Sequence, residues 1–117
     1  MVLLAALLGV STVIAGPLYA PETLERYFRV EWQTRPGPAG ATLDGYVYNK
    51  SDMPATGMQI NIEQLDAGGN VVGQTREWVL GDVPAGGRAF FTAHVPAAAS
   101  YRVTVLTFSW IDKRAGG

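Results

Sequence analysis

The sequence predicts an all-β domain, an antiparallel β-sandwich of six to seven strands, with a small closed barrel as the competing architecture. Three observations carry this. Apolar and polar residues alternate with a period of two along successive short stretches. Gly (14) and Pro (7) fall between those stretches as turn signals and not as low-complexity sequence. No helical period follows residue 27. The chain is organised around Ala41–Ser51, ATLDGYVYNKS, in which Leu43, Gly45, Val47 and Asn49 share one parity and Thr42, Asp44, Tyr46 and Tyr48 the other. Gly45 leaves room for a large neighbour from a facing sheet, and Asn49-Lys50-Ser51-Asp52 supplies polar groups that end the strand.

The elements follow in order. Val2–Ala15 is an almost unbroken apolar run, closed by Gly16-Pro17 and Leu18-Tyr19-Ala20. This describes the core and cleavage zone of a secretory signal, although no Lys or Arg precedes it and Leu18 is larger than the residue usual there. As a helix the run reaches only about 21 Å against a hydrocarbon core of roughly 30 Å, so a retained membrane anchor would be a short one. A helix of the domain itself is the third reading. The expected organisation is therefore a signal peptide or short anchor at 1–20, a β-domain at 21–112 and a tail at 113–117.

Pro21–Glu25 suits a single helical turn begun by proline. Tyr27–Gln33 alternates as a first strand, with Phe28, Val30 and Trp32 inward and Tyr27, Arg29, Glu31 and Gln33 outward. Arg35-Pro-Gly-Pro-Ala-Gly40 is expected to leave the ladder, because prolines lack a donor. After the central strand, Met53-Pro54 and Gly57 form a loop. Met58, Ile60 and Ile62 then alternate inward until a bulge or strand end near Leu65. Asp66–Asn70 reads as a hairpin loop into Val71–Val79, and Gly81–Gly87 as a tight connection into Arg88–Val95. Pro96–Ser100 turns the chain into Tyr101–Asp112. There the apolar parity changes between Val105 and Leu106, which calls for a bulge or for cover on both faces. The expected core is Phe28, Val30, Trp32, Leu43, Val47, Ile60, Ile62, Phe91, Val103 and Val105.

The order of signals from Leu43 to Phe91 carries a resemblance. It runs GYVYNKS at 45–51, MQINIEQLD at 58–66, GNVV at 69–72 and LGDVPAGGRAF at 80–90. This is similar to the FxLYD-type and related immunoglobulin-like domains of exported bacterial proteins, and covers about half of the chain after residue 20. The resemblance implies an immunoglobulin-like, extracytoplasmic sandwich, periplasmic or secreted, with no catalytic residues to carry over.

Composition excludes several chemistries. A formal charge of −1 with interspersed signs leaves no basic stripe for nucleic acid. The absence of cysteine excludes disulfides and thiolate metal sites. His94 is the single histidine, with no serine or aspartate frame around it to suggest a triad. The aspartates stand singly in or beside turns, and Asp66 with Asn70 is better read as turn chemistry than as a calcium loop. Gly68-Gly69 and Gly86-Gly87 lack phosphate-loop spacing. No catalytic residue, metal ligand or cofactor is expected. The one promising feature is aromatic: Tyr46 and Tyr48 on the outer face of the central strand, with Tyr27 on the polar face of the first. The sequence thus points to a non-catalytic module that binds a protein of the bacterial envelope. The alternative is a carbohydrate-binding module that stacks polysaccharide on those tyrosines. Contact with a membrane would come only through an uncleaved N-terminal segment.

Overall fold

The computed structural model describes residues 19–112; the expected export segment up to Leu18 and the tail at 113–117 lie outside the described residues. Helix α1 (Pro21–Tyr27) begins with proline, whose missing N–H the first helical turn does not need. Six strands follow: β1 (Phe28–Gly37), β2 (Gly40–Asn49), β3 (Ala55–Leu65), β4 (Val71–Trp78), β5 (Arg88–Val95) and β6 (Ser100–Trp110). They form two antiparallel three-stranded sheets, ordered β1-β2-β5 and β4-β3-β6. The two sheets pack as a sandwich, with a core drawn from both: Leu43, Val47 and Phe91 from one, Met58, Ile60, Ile62, Val103, Val105 and Phe108 from the other. Two separate ladders with open edges are not a closed barrel.

The alternation read from the sequence holds along the central strands, where every second residue of β2 from Ala41 to Asn49 is buried. Both expected irregularities are present. The β3–β4 register slips at Leu65, where Gln64 pairs with Gly73 and Leu65 with Val71. The β3–β6 register slips where Gln59 pairs with Thr107 but Ile60 with Val105, so Leu106 is the extra residue, and beyond it Thr107 and Phe108 are buried on both parities. A further slip at Gly57, which has φ +58°, lies inside β3 and not in the loop expected before it.

Four expectations need correction. The stretch 35–40 does not leave the ladder: Arg35 pairs with Thr42, Pro36 with Ala41 and Gly37 with Gly40, around a turn at Pro38-Ala39. Among the described residues β1 is an edge strand with a partner on one side only, so a residue without N–H is tolerated there. Trp32 is not core but 36 % exposed, and Val30 is only half-buried. Residues 31–37 are exposed on both parities, because the facing sheet does not reach over this part of β1. The large neighbour at Gly45 comes from its own sheet, where Phe91 is its partner on β5. A Cβ there would strike the Glu31 carbonyl and come within 2.8 Å of the Phe91 ring. Finally, Tyr27 ends α1 instead of opening β1.

Candidate functional site

The outer face of β1-β2-β5 collects most of the exposed chemistry. The two registers lay its side chains in rows: Arg29, Tyr48 and Arg88; Glu31, Tyr46 and Phe90; Gln33, Asp44 and Thr92; Arg35, Thr42 and His94. Neighbouring rows lie two residues apart along each strand, so these side chains meet across it.

At one end, arginines lie over the tyrosine rings. The Arg29 guanidinium sits 4.2 Å from the centre of the Tyr48 ring and that of Arg88 sits 4.1 Å from the centre of Tyr46. Arg88 also donates a long hydrogen bond to the Tyr48 hydroxyl at 3.4 Å. That bond, with the electron-rich rings beside it, raises the Arg88 pKa further, so the group stays cationic. Arg29 pairs with Glu31. The rings themselves are tilted: Tyr46 lies at 52° to Tyr48 and at 65° to Phe90.

Further along, Asp44 is held from both sides. Arg35 donates to its Oδ2 from Nε at 2.9 Å and Nη2 at 2.6 Å, and Thr92 Oγ1 donates to its Oδ1 at 2.6 Å. The Thr92 bond and then Arg35 hold the carboxyl below its ordinary pKa. At the far end Thr42 Oγ1 and His94 Nδ1 are 3.2 Å apart. A shallow recess of about 710 Å³ is lined by Trp32, Gln33, Arg35, Asp44, Tyr46 and Phe90.

The structure therefore brings Tyr46 and Tyr48 together and leaves Tyr27 elsewhere. Tyr27 packs edge-on against Trp110 at 5.2 Å, in a corner cluster where Phe28, Phe108, Trp110 and Tyr19 also meet. Trp78, 52 % exposed, lies opposite Gln59 on the outer parity of the other sheet. The residues that complete the site, Arg29, Arg88 and Phe90, come from the two flanking strands. Their outward parity was readable from the sequence, but their register against β2 was not. No family model, curated protein or solved structure matches the chain.

Proposed function

We propose that the chain is a non-catalytic, extracytoplasmic immunoglobulin-like module that binds another protein of the bacterial envelope through the outer face of β1-β2-β5. One observation carries this reading: Tyr46, Tyr48 and Phe90 are exposed in part beside Arg29 and Arg88, which lie over the tyrosine rings. Tyrosine and arginine are the side chains that dominate binding energy at protein interfaces, because each offers a broad apolar surface with a polar end. The sugar reading has less support. A sugar ring needs a free aromatic face, whereas here the rings are tilted to one another and arginines cover them.

Strand order supports the immunoglobulin-like part. The order β1-β2-β5 follows strands A, B and E of that fold, and β4-β3-β6 follows C′, C and F. The non-catalytic part is supported by how the polar groups are engaged. Asp44 is committed to Arg35 and Thr92, and Asp66 to the amides of its own turn. The apolar run before Gly16-Pro17 supports export, with the segment removed or kept as a short anchor.

The test is crosslinking in the native host, comparing the parent chain with Tyr46→Ala/Arg88→Ala and with Trp78→Ala as a control on the other sheet. Loss of one reproducible partner with the face variant alone is expected, at roughly 30-fold weaker affinity for a hot spot worth about 2 kcal/mol. Equal recovery with both variants overturns the choice of face. A soluble polysaccharide that raises the melting temperature of the parent but not of the face variant would replace the protein partner with a sugar.

A further inference from the structure

The charges on the outer face of β1-β2-β5 do not balance. Arg29 pairs there with Glu31, and Arg35 with Asp44. Among the described residues no carboxylate lies within ion-pair distance of Arg88. Arg29, Tyr48 and Arg88 form one row across the strands, so that end of the face sets two guanidiniums against the single carboxylate of Glu31 in the next row. The end with Arg35 and Asp44 is neutral by comparison, and the surplus is one positive charge beside Tyr48.

Hydrogen bonding at the same place is one-sided. A guanidinium offers five N–H donors and no acceptor. Among the described residues the Arg88 side chain spends one of them, on the Tyr48 hydroxyl at 3.4 Å. The Tyr48 oxygen accepts that bond and keeps its own O–H to donate, and no described acceptor takes it. Arg88 is exposed, and its position over the Tyr46 ring fixes the guanidinium plane and leaves its edge free. Phe90 follows two residues along β5 on the same face, 36 % exposed and edge-on to Tyr46 at 5.6 Å. Two donors without an acceptor thus stand beside an aromatic shelf.

We infer that the protein bound by this face presents an aspartate or glutamate to Arg88 and the Tyr48 hydroxyl, with an apolar side chain beside it on Tyr46 and Phe90. This rests on the binding face proposed above and names the chemistry of its partner. A carboxylate has only acceptors and matches the edge of a guanidinium with its two oxygens. One such group cancels the surplus charge. A neutral sugar hydroxyl would cover Arg88 without cancelling it, at a cost in desolvation. A polyanion such as an anionic membrane would meet Glu31 and Asp44 on the same face.

Lysine occurs in the chain only at 50 and 113, so an amine placed at 88 reports on its neighbours against little background. The Arg88→Lys chain is treated with a water-soluble carbodiimide in envelope extract of the native host. The reagent activates a carboxyl group, the amine displaces it to form an amide, and the reagent leaves as its urea. The expected product, read by mass spectrometry, joins position 88 to an aspartate or glutamate of one other protein. Trp78→Lys, which carries its amine on the other sheet, should not give it. That partner, once purified, should bind the parent chain on the order of tenfold more weakly at about 0.5 M salt than at about 0.05 M, and Arg88→Gln should be weaker by a similar factor at low salt. An amide to the chain's own Glu31 alone, no amide at all, the same product from Trp78→Lys, or an affinity that ignores salt would each overturn the inference. So would parent binding to phosphatidylglycerol vesicles that Arg88→Gln abolishes, which would put a membrane in place of an acidic protein. If crosslinking recovers a partner that the face variant loses while position 88 forms no amide, this inference falls and the binding face stands. If Tyr46→Ala/Arg88→Ala recovers its partner as the parent does, both fall.

Discussion

Asn49 shows how much one side chain settles. It is buried at the end of β2, and its Nδ2 donates to the carbonyls of Met53 at 2.8 Å and Val83 at 3.2 Å, while its Oδ1 accepts from the Ser51 amide at 2.9 Å. It thus ties the strand end, the following loop and the bridge between Ala55 and Val83. Asn49→Ala should lower unfolding stability by about 2–3 kcal/mol in urea titration, because it leaves buried polar groups unsatisfied. The sequence showed Asn49 as a strand terminator; its link to Val83, far along the chain, required the fold. Asp44 gives a pH prediction. Its pKa is lowered in the folded state, so its contribution is fully present above the unfolded value near 3.9 and fades as pH falls through the folded value. The stability gap between the parent and Asp44→Asn should be constant above about pH 5 and narrow below about pH 4. A gap that widens on acidification would contradict this.

Among the elements, β1 departs most from what its pattern suggested. Phe28, Val30 and Trp32 alternate as cleanly as any core strand, yet burial falls from Phe28 through Val30 to Trp32. Periodicity assigns a face to each residue; it does not say whether anything lies across from that face. Trp32→Ser should therefore shift stability by less than about 1 kcal/mol, whereas Phe108→Ala, on β6 within the corner cluster, should cost about 3–5 kcal/mol. Calorimetry of the two variants side by side checks both values. At Gly57 the left-handed backbone, with φ +58°, is strained for a residue with a Cβ although the space around it is open. Gly57→Ala should cost about 1–2 kcal/mol from backbone strain alone. The Asp66–Asn70 loop was legible in full. Asp66 Oδ1 accepts from the amides of Gly68 and Asn70, both at 2.9 Å, which is the local turn chemistry its composition announced.

At the scale of the molecule, two small sheets leave four edges among the described residues, and the outer faces carry the exposed aromatic and charged groups. Local order was enough to determine the all-β class, the turns at 66–70 and 81–87, the limits of β5 and the outward parity of Tyr46 and Tyr48, and it marked Leu65 and Val105 as places where a slip was one of two readings. These are properties of neighbouring residues, governed by backbone sterics and a period of two, so the chain states them without its fold. Tertiary structure decided the rest. It brought Arg29 and Arg88 over the tyrosines, seated Phe91 beside Gly45, exposed Trp32 and moved Tyr27 into the aromatic corner. Each of these depends on which strands lie side by side and how far one sheet extends over the other. Lateral pairing joins residues far apart in sequence, and the alternation within a strand is the same whichever neighbour it acquires.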